Sequence, residues 1–184
     1  MLFRSDKLVD PSIRVREIYL DRIRAMRYFS RYEDFFLYGR GWDEQISGFG
    51  PEDQNAALKC WKGMIDIEYE AKLNCMRGFK FSICFENCNF PGYVTEKIFD
   101  AFLAGCIPVY YGAPDIKDFV PEGAFIDYTK FTGMEELDRF LQGLSEAEAN
   151  NYLKAAADFI HSPAFDRFYV NNVVKKMVDL ALKC

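Results

Sequence analysis

The feature that most constrains this chain is a strand–helix–strand pattern between Phe81 and Tyr111. Phe81-Ser82-Ile83-Cys84-Phe85 is an apolar run of strand length, and Ile107-Pro108-Val109-Tyr110-Tyr111 is another. Between them the spacing predicts a helix from about Thr95 to Ala104, stopped by Gly105 in the position that helix C-termini favour. Two strands joined through a helix by tight connections run parallel, and the crossover is right-handed. The pattern therefore predicts an α/β fold: a Rossmann-like parallel sheet with helices on both faces.

Half of the 184 residues are apolar and 17% are aromatic, enough to bury a core. Leu2-Phe3 reads as the end of a strand, followed by a polar turn through Ser5, Asp6 and Lys7. From Ile13 to Phe29, apolar residues at three- and four-residue steps predict an amphipathic helix. Phe35-Phe36-Leu37-Tyr38, closed by Gly39, reads as a buried strand. A polar, Gly-rich connection runs from Trp42 to Gly50 and Pro51, then Cys60 to Gly63 reads as a short strand and Tyr69 to Arg77 as a short helix. Phe125-Ile126 is a weaker strand, and helices are expected at Met134–Leu141, Glu146–Ile160 and Asn172–Leu182. The organisation expected is a Rossmann-like domain over residues 1–160 with a helical C-terminal tail over 161–184. A strand typically has about five or six residues. Fewer precede Ser5, so the chain reads as beginning partway into its own fold.

The net charge of −5 argues against a nucleic-acid or anionic-membrane surface. The cysteines, at 60, 75, 84, 88, 106 and 184, form no CxxC pair, and His161 is the lone histidine, which argues against a zinc site. Cys84 and Cys106 lie in apolar runs and read as small core residues. The compartment expected is reducing, most simply the cytoplasm. No apolar run is long enough to cross a bilayer, although the last helix has the pattern for peripheral membrane contact.

The chemistry concentrates between the first of these strands and the helix that follows it. There the chain reads Phe85-Glu86-Asn87, Cys88-Asn89-Phe90-Pro91, then Gly92-Tyr93-Val94-Thr95-Glu96-Lys97. Ligands of open α/β sheets bind in the crevice at the carboxyl ends of the strands. A helix amino end offers free N–H donors and partial positive charge, which suits a diphosphate. Thr95 is placed to cap that helix, and Gly92 lets backbone approach a ligand. Lys97 is a cation at the end of the helix that disfavours one, so it asks for an anion. Taken alone it reads as a solvated surface lysine; together with Asn87, Tyr93, Thr95 and Glu96 it reads as part of a site.

Those stretches, continued by Ile98-Phe99 and by Ala104-Gly105-Cys106-Ile107-Pro108-Val109-Tyr110-Tyr111-Gly112-Ala113-Pro114, closely resemble the signature of the α-1,3/4-fucosyltransferases, glycosyltransferase family ten. The resemblance extends through Phe119-Val120-Pro121 and is to the C-terminal, donor-binding domain of bacterial members. It implies a GT-B architecture of two Rossmann-like domains, with GDP-fucose held in the C-terminal one. It also implies an inverting, metal-independent transfer of fucose to a GlcNAc or glucose hydroxyl. By the same resemblance Lys97 contacts the donor diphosphate, Glu96 bonds donor hydroxyls, and Asn87 and Tyr93 line the site. The family's phosphate-binding arginine corresponds to Arg22, with Arg16 in reserve.

Charge grows on the β-phosphate as GDP leaves, and Arg22, Lys97 and helix N–H groups are the residue types that stabilise it. No cofactor or metal is expected: an Asp-x-Asp motif is lacking, and Asp66-Ile67-Glu68 reads as solvated loop. The general base for the acceptor is expected in a separate acceptor domain. Glu86 and Asp115 read instead as a strand-end hydrogen-bonding group and a turn residue. The partners expected are GDP or GDP-fucose, a glycan acceptor through that other domain, and a second copy by self-association. Two alternatives stay open: another donor such as GDP-mannose, and a non-catalytic module that binds GDP or a partner.

Overall fold

The computed structural model describes residues 16–39, 41–42, 50–65, 68–169 and 174. In chain order the elements are β1 (Arg16–Glu17), α1 (Tyr19–Phe29), α2 (Pro51–Cys60), α3 (Tyr69–Met76), β2 (Phe81–Phe85) and β3 (Cys88–Asn89). Then follow α4 (Glu96–Ala104), β4 (Ile107–Tyr111), β5 (Ile126–Asp127), α5 (Met134–Gly143) and α6 (Glu146–Ile160). Strands β2, β4 and β5 form a parallel sheet in that order, with Phe81 opposite Ile107 and Phe85 opposite Tyr111. The strand–helix–strand unit read from the sequence is this sheet's framework. Gly105 ends α4 at φ +75°, where a side chain would crowd the backbone.

Alternate residues of the strands feed two cores. On one face Cys84 and Tyr110 pack with Ile98, Ala101 and Phe102 of α4 and Phe159 of α6. On the other, Phe85, Val109 and Tyr111 pack with Ala25 and Phe29 of α1 and Leu137 of α5. Helices thus cover both faces, as a parallel sheet requires. Cys84 and Cys106 are core residues, and burial pushes the Cys106 thiol up to about 11. Beyond α6 the chain stays packed: Phe165 joins the Phe99–Phe102–Phe159 aromatic cluster. The helix expected at 172–182 and the strand end at Leu2-Phe3 lie outside the described residues.

Four expectations need correction. The first helix begins at Tyr19, not Ile13, because Arg16 and Glu17 pair antiparallel with Asn89 and Cys88. Phe35–Tyr38 is not a full strand but a single parallel bridge, Leu37 to Trp61. Cys60 closes α2, so Cys60–Gly63 supplies only that bridge. The connection ending at Pro51 hides α2: Pro51 opens it, and Asp53 accepts both the Gly50 N–H and the Arg27 guanidinium.

Gly105→Ala should lower stability by about 1 kcal/mol, the cost of a left-handed Cβ-bearing residue. Gly143→Ala, where nothing lies within 4 Å of an added Cβ and φ is ordinary, should be neutral or slightly stabilising. Urea unfolding of the two variants checks this; equal effects would contradict it.

Candidate functional site

Glu86 directly follows β2 and extends its ladder, donating its N–H to the Tyr111 carbonyl at 2.8 Å. Its side chain turns into the protein and is completely buried. Oε1 accepts the Thr95 N–H at 2.8 Å, and the Thr95 hydroxyl lies 2.9 and 2.8 Å from the two carboxylate oxygens. Lys97 Nζ donates to Oε2 at 2.8 Å and to Thr95 Oγ1 at 2.9 Å. A buried carboxylate is tolerable only when paired and hydrogen-bonded in this manner. Space for it comes from Gly112: a Cβ there would fall 2.5 Å from Glu86 Cγ and from the Tyr110 hydroxyl. Tyr110 is itself held by the Ala113 N–H, which donates to its oxygen at 3.1 Å, and burial pushes its pKa up.

This arrangement changes the reading of two residues. Thr95 occupies the N-cap position of α4 but makes no side-chain cap bond; its hydroxyl is taken by the carboxylate and the ammonium, stronger partners than a helix N–H. Lys97 is not a solvated lysine, since its side chain is 23% exposed. The anion that a cation at a helix start demands is supplied by the protein itself, as Glu86. Of the three ammonium donors, two are engaged by Glu86 and Thr95, which leaves one for a ligand.

The neighbouring residue does the same for a second cation. Asn87 is exposed, and its Oδ1 accepts from Arg22 Nη1 at 2.8 Å. Arg22 is brought there by the start of α1, which is tied to the same loop: Ile18 donates its N–H to the Asn87 carbonyl at 3.0 Å, and β1 pairs with β3. Arg16, the reserve, is in β1 with a side chain outside the described residues. Arg22, Glu96 and Lys97 all line a cleft of about 840 Å³ that also runs along β2. Glu96 is exposed as the first residue of α4. Asn87, Tyr93 and Thr95 belong to the loop leading into α4 rather than to the cleft lining. Tyr93 is half-buried, with its N–H on the Phe90 carbonyl at 3.0 Å. Gly92, at φ +75°, donates its N–H to Asp115 Oδ1 at 2.8 Å and so braces that loop against the one after β4.

Gly112 and Tyr110 were not legible as site residues from sequence. A glycine after an apolar strand reads as a turn, and the chain carries no other signal of the crowding around Glu86. Of Asp66-Ile67-Glu68, Glu68 is exposed ahead of α3 and the other two lie outside the described residues. Among the described residues no three His, Cys, Asp or Glu side chains cluster as a metal site, and no helix is long and apolar enough to cross a membrane.

Lys97→Met strands a buried carboxylate, a change that typically costs about 3–5 kcal/mol. Glu86 keeps its Thr95 bonds, so a loss of about 3 kcal/mol is expected by urea unfolding, with most of it regained in Glu86→Gln/Lys97→Met. A single-variant loss below about 0.5 kcal/mol would mark Lys97 as an ordinary surface lysine.

Comparison with known proteins extends this geometry. The family description "Glycosyltransferase family 10 (fucosyltransferase) C-term" matches residues 22–159, well over half of the chain. An alpha-(1,3)-fucosyltransferase FucT of Helicobacter pylori is 41% identical over 76 residues, 41% of this chain and 16% of the relative. A GDP-fucose protein O-fucosyltransferase 3 of Rattus norvegicus is 30% identical over 102 residues, 54% of this chain and 21% of the relative. A solved alpha1,3-fucosyltransferase with GDP-fucose aligns at 27% identity and TM-score 0.43, covering 56% of this chain and 32% of the other. The chain thus spans between 16% and 32% of these proteins. Strand β2, the Glu86–Lys97 loop, α4 and β4 all fall inside the matched residues, and by that match the chain belongs to glycosyltransferase family 10, the fucosyltransferases, through their C-terminal region.

Proposed function

We propose that this chain binds GDP-fucose in the crevice at the carboxyl end of β2 and is the donor-binding part of an inverting α-1,3-fucosyl transfer to a GlcNAc or glucose hydroxyl. The observation that carries this is the delivery of two cations from distant parts of the chain by consecutive residues, Lys97 by Glu86 and Arg22 by Asn87. Both cations border one cleft, beside the amino end of α4. Fixed cations and helix N–H groups stabilise charge that develops on a leaving diphosphate, and need no reorganisation as it leaves. Arg22 would carry the greater share of net charge, since its partner Asn87 is neutral whereas Lys97 is offset by Glu86. The relatives support the donor: one is named for a glycosidic linkage and the other for a protein acceptor, yet both are named for fucosyl transfer.

Glu86 is not the base for an acceptor hydroxyl in this reading. It is sealed from solvent and its oxygens are occupied. Asp115 is held by the Gly92 N–H. The acceptor, its base and any α-1,3 preference therefore belong to contacts beyond this crevice.

Arg22→Ala should weaken GDP binding by about 1.5–3 kcal/mol, the range for hydrogen bonds to charged groups, with little change in melting temperature. Lys97→Ala should weaken it too, and in addition lower the melting temperature by stranding Glu86. Calorimetric GDP affinity should be the same with and without EDTA, since these cations take the place of a metal. Unchanged affinity in Arg22→Ala, or binding abolished by EDTA and restored by Mg²⁺ or Mn²⁺, would overturn the reading.

A further inference from the structure

Helix α4 carries two carboxylates one turn apart on the same face, Glu96 and Asp100, in opposite environments. Asp100 is 1% exposed and takes both polar groups that α3 offers it. The Tyr69 hydroxyl donates to Oδ1 at 2.6 Å, and Lys72 Nζ donates to Oδ2 at 2.5 Å. Glu96 is exposed, and its carboxylate has neither a hydrogen bond nor an ion pair among the described residues. Lys72, Glu96 and Asp100 nevertheless line one cleft, and the Lys72 side chain is only partly enclosed, at 39% exposure. Tyr69 lies in the field of both carboxylates: burial first, then the Asp100 bond and charge, with Glu70 and Glu96 adding to them, push its pKa up to about 12. The two carboxylates compete unequally for a cation. A buried one has to be paired, whereas an exposed one at a helix start is favoured by the helix dipole and gains little from an ion pair. Lys72 therefore stays on Asp100, as Lys97 stays on Glu86 and Arg22 on Asn87, and Glu96 is left open.

We propose that Asp100 is a positioning residue of the crevice: by retaining Lys72 and Tyr69 it keeps the Glu96 carboxylate free to accept from hydroxyl groups of the bound nucleotide sugar. The inference rests on the reading of the crevice as a nucleotide-sugar site. An ionised carboxylate only accepts hydrogen bonds, so Glu96 suits the hydroxyls of a ligand whose phosphates suit the neighbouring Arg22 and Lys97. Asp100 touches no ligand in this scheme, because it is buried and both of its oxygens are occupied. It acts through Lys72. Once the charge of Asp100 is removed, the Lys72 ammonium, on a flexible four-carbon stem, turns to the carboxylate one turn away and masks it.

Calorimetric titration of the intact chain with GDP-fucose tests this, with affinity read separately from stoichiometry so that a partly folded variant still reports. Asp100→Asn should weaken binding by about three- to sixfold, the reach of a half-exposed ion pair competing for Glu96. Lys72→Met/Asp100→Asn removes the competitor and should return most of the lost affinity, a recovery that damage to the fold at Asp100 does not give. In a Glu96→Gln background Asp100→Asn should cause no further weakening. Asp100→Ser runs the same arms if the Asn variant does not fold. Titration with GDP locates the hydroxyl: loss with GDP-fucose alone places it on the fucose, and equal loss with GDP places it on the ribose. An Asp100→Asn variant of unchanged affinity, a loss that Lys72→Met does not reverse, or a loss that persists in Glu96→Gln each overturns the assignment, while Arg22-dependent binding of GDP-fucose leaves the nucleotide-sugar reading standing. Failure of the unaltered chain to bind GDP-fucose overturns both.

Discussion

A carboxylate with no access to water organises the crevice. Glu86 has to be paired, and the pairing fixes its surroundings: Lys97 must reach back over the first turn of α4, Thr95 must give up capping, and residue 112 must lack a side chain. The cost of burying the charge is offset only when all these conditions hold together. Consequently the loop from Asn87 to Thr95 has its end held by Thr95 N–H, its middle by the Gly92–Asp115 bond and its start by α1 through Asn87. A rigid loop between a strand end and a helix start is what anion binding in an α/β sheet requires.

The same constraint links the two halves of the described fold. Helix α1 contacts the β2 side through Ile18, Arg22 and the short β1–β3 pairing. A second link joins α1 and the turn after it to α5: the Tyr28 and Tyr32 hydroxyls both donate to the buried carboxylate of Asp138, at 3.1 and 2.5 Å. These ties hold α1 over the sheet and keep Arg22 at the crevice.

Much of this was legible in the sequence, for identifiable reasons. Strands β2 and β4 and helices α4 and α6 are apolar runs or clean periodic segments bounded by Gly105, Ser145 and other punctuation, and they occur where periodicity places them. Helix α2 was missed because its sequence, Pro51 to Cys60, has a weak apolar stripe and buries mainly Asp53, Ala57 and Cys60. Phe35–Tyr38 looked like a buried strand because it is apolar, yet strand character needs neighbours, and it has one bridge. The motif residues from Glu86 to Lys97 could be located but not their wiring. No local rule says that a lysine at a helix start will find its anion on the preceding strand rather than on a ligand.

If this crevice recognises a diphosphate through Arg22 and Lys97, charge must dominate its affinity for GDP. The most direct measurement is a pair of calorimetric titrations of the same protein, with GDP and with guanosine, at low and at high salt. GDP should bind at least about tenfold more tightly than guanosine, and the difference should shrink as salt screens the Arg22 charge. Equal affinity for the two ligands, or a preference for GDP that salt leaves untouched, would contradict it.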